Sequence, residues 1–114
     1  MKVFRQKVKK INRWSYWGDF GEIGIGVSMG RIETNNPWRP DLLHYHKSGI
    51  IYILCLEGKG IIEVNGKKVT LHKDELLQID PQEKYRHLTA IQVPFWWITI
   101  CTSKNPRDKV VVKD

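Results

Sequence analysis

Several features are scarce or missing in this 114-residue chain, and each absence removes a class of answer. No run of about 18 or more apolar residues exists, so no membrane-spanning helix is expected. The start, Met1-Lys-Val-Phe-Arg-Gln-Lys7, is charged, but no apolar stretch follows it, and no secretory signal is expected. Cysteine is rare. Cys55 and Cys101 each sit inside an apolar run with no C-x-x-C spacing, which points to reduced, buried thiols in a cytoplasmic protein rather than to a disulfide framework. A P-loop, a dinucleotide fingerprint, a G-x-S-x-G elbow and a catalytic cysteine signature are all missing. The carboxylates fall mostly at turns or on outward positions, so no acid–base pair stands out. No segment sustains a 3.6-residue period, so no helical pair suited to a DNA major groove is expected and nucleic acid is not an expected partner.

The chain that remains is 41% hydrophobic, enough for a core, and of a length that fits one domain, residues 1–114. Its formal net charge of +7 is local. Lys2, Arg5, Lys7, Lys9, Lys10 and Arg13 crowd residues 1–13 with no acid among them, leaving the rest nearly balanced. Such a segment is either a patch for a polyanion or a basic edge strand whose lysines discourage further strand pairing. Phe4 and Val8 share a face at a period of two, which favours the edge strand.

Strand signals dominate. Residues 20–33 read as one long strand with glycines at 21, 24, 26 and 30, and 34–40 read as a loop rich in asparagine and proline. Further strands are expected at 42–46, 50–57, 59–65, 67–72, 75–79, 84–90, 94–102 and 107–113. Asn65-Gly66 lies between two alternating runs and predicts a type I′ hairpin, with Ile62, Val64, Val69 and Leu71 on one face and Glu63, Lys68 and Thr70 on the other. The expected fold class is all-β, a sandwich or closed barrel, with closure favoured because it removes exposed edges.

The segment that carries chemistry is His44-Tyr45-His46, whose imidazoles project to the same side of a strand. After it come an apolar strand from Ile50 to Leu56, Gly58-Lys59-Gly60, the Asn65-Gly66 hairpin, Asp74-Glu75 and Ile79-Asp80-Pro81. This order resembles the cupin superfamily over residues 38–102, and the resemblance implies a double-stranded β-helix, the RmlC-like jelly-roll barrel. His44, His46 and Gly58 match the first cupin motif, while its glutamate falls on Ile51. Aligning Pro81 with the second motif puts Gln82 at its glycine and Tyr85 at its histidine; His87 lies two residues on, about 6–7 Å further along a strand. Relatives of this kind hold iron, manganese, zinc or nickel through three histidines and the glutamate. Isoleucine cannot ligate, so the site reads either as metal-free or as a three-nitrogen centre of His44, His46 and His87 with open positions.

Within the superfamily, Tyr52 to Val69 and Glu75 to Tyr85, followed by Trp96-Trp97, look most similar to the ligand-binding domains of AraC-type regulators. That likeness implies a metal-free sensor holding a sugar or similar small molecule, without a DNA-binding domain here. Tyr85 and His87 share a strand face and can join His44 and His46 around a cavity. Only one of Trp96 and Trp97 can face inward; Trp97 is taken as the one, since an indole stacks well on a sugar ring. Trp14, Trp17 and Trp38 lie near loops. Tyr52 is a further polar candidate whose direction depends on its parity with Ile51, and His72, beside a turn, is expected in solvent. The first reading is a non-catalytic cupin binding a small polar ligand at His44, His46, Tyr52, Tyr85, His87 and Trp97, and working as a cytoplasmic homodimer. The alternative is a metal-dependent isomerase or dioxygenase built on His44, His46 and His87.

Overall fold

The computed structural model describes residues 1–9, 14–17, 25–33, 42–103, 105 and 107–113. Nine strands run through these residues: β1 (Gln6–Lys9), β2 (Trp14–Trp17), β3 (Gly26–Ile32), β4 (His44–His46), β5 (Ile51–Val64), β6 (Lys67–His72), β7 (Leu76–Ile79), β8 (Tyr85–Cys101) and β9 (Lys109–Val111). Every pairing between them is antiparallel. No helix long and apolar enough to cross a membrane occurs among the described residues.

Two long strands organise the barrel. β5 and β8 pair from Ile51↔Cys101 to Val64↔Tyr85, and the remaining strands add to their flanks. β6 extends one half of β5 and β7 the other; β3 extends the second half of β8, while β4, with β9 beyond it, extends the first. Straight, β8 would hold its ends about 50 Å apart. Instead Tyr85 and Cys101 both reach the ring of His46, at 3.4 and 3.7 Å, so the sheet curls until its ends meet. The expected all-β jelly-roll barrel is therefore what forms.

The hairpin at Asn65-Gly66 forms as expected, with both residues at positive φ (50° and 80°) and Ile62 directly opposite Val69. Two other expectations change. The separate strands at 50–57 and 59–65 are one strand, β5, and those at 84–90 and 94–102 are one strand, β8. The punctuation at Gly58 and Pro94 marks bulges instead of turns. The register slips between Cys55 and Gly60, where Gly58 takes a φ of 75° and proline needs no ladder donor. Of the strand expected at 20–33, residues 26–32 form β3 and 20–24 lie outside the described residues, as does the loop at 34–40.

Alternation then sorts the side chains. Ile51, Ile53 and Cys55 of β5 face inward with Phe95, Trp97 and Thr99 of β8, all buried. Gly30 and Gly60 leave room for the rings of Trp97 and Phe95, which occupy the space where their side chains would stand. This packing fills one part of the interior with hydrocarbon and leaves the polar groups around β4.

Candidate functional site

β4 is short because its job is local: three residues wedged between β8 and β9, with His44 opposite both Tyr85 and Val111. His44 and His46 project inward on either side of Tyr45, as their spacing requires. The His44 ring lies 4.3 Å from that of Tyr85 and 5.9 Å from that of His46. His44 Nδ1 stands 2.6 Å from the Leu42 carbonyl oxygen, a contact that only Nδ1–H can make, so Nδ1 is a donor here.

His46 is held from behind by an aspartate the sequence did not single out. Its Nδ1–H donates to Asp108 Oδ2 at 3.2 Å, and its Nε2 faces the Tyr85 hydroxyl at 3.4 Å. Asp108 is buried, 3% exposed, and its second oxygen accepts from both the backbone and the hydroxyl of Ser48, while Oδ2 also accepts from the Gly49 backbone. Burial alone would raise the Asp108 carboxyl, but these donors outweigh it and hold the group below the usual carboxylate value. Burial lowers His46 below the ordinary histidine value, the Asp108 contact opposing it, so the neutral ring is favoured. The result is a polar chain, Asp108–His46–Tyr85, with His44 alongside. In such a chain the carboxylate fixes the tautomer and orientation of the imidazole and leaves a basic nitrogen toward the interior.

His87 is treated differently. It is 2% exposed and stacks on Trp97 with ring centres 4.2 Å apart. Burial, assisted by the proximity of His44, pushes its pKa down to about 3, so the ring is neutral at physiological pH.

The sequence-expected site residues thus divide. His44, His46 and Tyr85 come together, and His87 and Trp97 lie inside the barrel as a stacked pair next to them. Tyr52 does not join: Ile51 and Ile53 take the inward positions, and Tyr52 points to the opposite face between Gln78 and Ile100. His72 is exposed and bonded to Glu75 at 2.8 Å, as expected of a turn residue. The trio expected to hold a metal is not the one gathered. Among the described residues, the histidine, cysteine and acidic ligand atoms that approach within 4.8 Å of one another belong to His46, Cys101 and Asp108. Asp108 was invisible in the sequence because its partners lie 59–62 residues away, and Cys101 read only as a buried thiol. Nor do the residues suit the four-ligand cupin centre. Ile51, 1% exposed, fills the glutamate position with hydrocarbon, and Tyr85 stands in place of the third histidine.

The family described as a cupin domain matches residues 34–101. Among solved structures, the chain is similar to Pac13 from Streptomyces, described as a unique nucleoside dehydratase (12% identity, 99% of this chain and 92% of that one, TM-score 0.73). A histidine-to-glutamine variant of that protein is also solved with uridine. It is similar too to KdgF from Halomonas sp. (9% identity, 93% and 90%, TM-score 0.68). A third likeness is to an uncharacterized protein with a double-stranded β-helix domain from Klebsiella pneumoniae (12% identity, 80% and 76%, TM-score 0.66). At such identities the likeness is one of fold. No curated protein matches the chain.

Proposed function

The chain belongs to the cupin family, and from that premise we propose that it binds a small, hydroxyl-bearing metabolite inside its barrel, against His44, His46 and Tyr85. The observation that carries this reading is the Asp108–His46–Tyr85 chain: three polar side chains from β4, β8 and the segment before β9 ordered around one inward nitrogen. A barrel that needed only stability would fill this space with hydrocarbon, since buried polar groups cost free energy unless paired. His46 Nε2 offers an acceptor and the Tyr85 hydroxyl either role, a combination suited to vicinal hydroxyls of a sugar or nucleoside. Metal-free sugar sensing, as the resemblance to AraC-type domains implies, is one form of this role. Two free cysteines fit a cytoplasmic protein.

A second reading is favoured by the same chain. A carboxylate behind an imidazole that faces a hydroxyl is the arrangement of a general base, so His46 is placed to take a proton from a bound ligand or from Tyr85. Elimination or isomerisation of a hydroxylated substrate is the matching reaction class, and a dehydratase is among the proteins of like fold. The metal-dependent alternative on His44, His46 and His87 has less support, because His87 is spent against Trp97.

Thermal unfolding in the presence of nucleosides, neutral sugars, sugar phosphates and small hydroxy acids tests the binding role. A ligand at a hundredfold excess over its Kd adds about 2.7 kcal/mol of stability. That gain should vanish in Tyr85→Phe and His46→Gln. If no compound stabilises the wild-type protein more than these variants, the reading is wrong.

A further inference from the structure

We propose that His46 Nδ1, Cys101 Sγ and Asp108 Oδ2 form a three-ligand site for a borderline divalent metal of the zinc class, open at its fourth position. Of these, only His46 occupies a cupin motif position; Cys101 ends β8, and Asp108 precedes β9, so neither belongs to the motif set. The sequence separation among them, up to 62 residues, is closed by the curl of the barrel.

The spacing is the argument. Zinc bonds of about 2.0–2.2 Å to nitrogen and oxygen and about 2.3 Å to sulfur, set at a tetrahedral angle, separate nitrogen from oxygen by about 3.3 Å and nitrogen from sulfur by about 3.5 Å. His46 Nδ1 stands 3.2 Å from Asp108 Oδ2 and 3.7 Å from Cys101 Sγ, and all three ligand atoms lie within 4.8 Å of one another. Imidazole, thiolate and carboxylate are each ligands that zinc takes, and zinc sites with an open position are held by three protein ligands.

A second, independent observation concerns Gly49. A Cβ there would lie 2.8 Å from Asp108 Oδ2 and 2.9 Å from Cys101 Sγ, so any larger residue would fill the space beside two of the three ligand atoms. Glycine keeps that space clear while its backbone N–H donates to Asp108. The carboxylate is already oriented by Ser48 and Gly49, the kind of outer support that fixes a metal ligand.

Proton balance follows from the present hydrogen bonds. Binding displaces the proton of Cys101, whose thiol burial otherwise keeps protonated, and releases it to solvent. The His46 proton leaves Nδ1 for Nε2, where it is donated toward Tyr85 Oη, 3.4 Å away. Metal occupancy would thereby convert the inward nitrogen of His46 from acceptor to donor, and with it the hydroxyl pattern the barrel prefers. That last consequence rests on the proposed ligand role of His46; the metal site does not.

Protein stripped with a chelator and titrated with zinc against a chromophoric competitor tests the site, with cobalt as a spectroscopic probe. One equivalent of zinc should bind, with release of about one proton at neutral pH. The cobalt form should show thiolate-to-metal charge-transfer absorption, and Cys101→Ser should lose that band and weaken zinc binding by at least about tenfold. Gly49→Ala, checked for folding by its circular dichroism, should lose binding with all three ligands intact; should it not fold, the cobalt band and Cys101→Ser decide alone. Zinc bound equally by wild type and Cys101→Ser, or by neither, overturns the proposal. Running the ligand panel of the preceding section on chelator-treated protein as well keeps its failure and the failure of the metal site separate.

Discussion

Burying an imidazole is cheap only while it stays neutral, and His87 makes that cost measurable. Its pKa of about 3 in the folded chain lies well below the ordinary 6.5. Between those values the unfolded chain takes up a proton that folded His87 refuses. Stability should therefore fall as pH drops below 6.5, by about 1.4 kcal/mol per unit from this group, and level off near 3. His46 shifts in the same direction and adds to the slope, and Asp108, held below its usual value, adds a further loss in more acid solution. His87→Phe keeps an aromatic ring against Trp97 and removes the titration. Urea unfolding at pH 7, 6, 5 and 4 should give curves that diverge below pH 6.5, the variant's slope between pH 6 and 4 being flatter by about 1.4 kcal/mol per pH unit; parallel curves would show that His87 is not the buried neutral group. The inward pairing of His44 and His46 was legible at this scale, since a period of two fixes it. The role of Asp108 was not: nothing near Asn105-Pro106-Arg107-Asp108 announces that Ser48, Gly49 and His46 will be its partners.

At the scale of elements, the strands are shaped by where glycine meets an aromatic ring. The place of a Cβ on Gly60 is 2.0 Å from Phe95 Cε2, and on Gly30 it is 2.2 Å from Trp97 Cζ2. Phe95 and Trp97 also pack on each other at 4.8 Å, so neither ring can retreat without disturbing its neighbour. Gly60→Ala should therefore cost about 1–3 kcal/mol by overpacking, read as a lower urea midpoint with an unchanged m value. Because the cause is one contact, Gly60→Ala combined with Phe95→Leu should lose less than the two changes added separately. Strict additivity would show that the strain lies elsewhere. The same elements explain what the chain announced and what it hid. Alternating runs and Asn65-Gly66 marked strands and hairpin well, because both signals are local. Gly58 and Pro94 signalled an interruption but not its kind, since a bulge and a turn use the same residues and differ in whether a long partner strand continues alongside.

For the whole molecule, the unresolved demand is the outer face of the barrel. A domain of this size buries under about 70% of its surface, so some apolar area stays outside. Trp96 faces out, as one of the adjacent tryptophans must, and the Arg31 guanidinium covers it at 5.3 Å from the neighbouring strand. A larger apolar patch lies across β7, β5 and β8, where Leu76, Leu54 and Ile98 stand in register, with Tyr52 and Ile100 in the next row. Leu76 is 60% exposed and Ile100 36%. Cross-strand neighbours of this kind form one continuous surface, and a two-fold interface between copies of the chain would cover it on both. The expected working form is therefore a homodimer joined face to face through β5, β7 and β8. Light scattering at micromolar concentration should give twice the 13.4 kDa of one chain, and Leu76→Glu with Ile100→Glu should return it to one. A wild-type mass of 13.4 kDa would remove the dimer, and a dimer that survives both charges would move its interface to another part of the sheet.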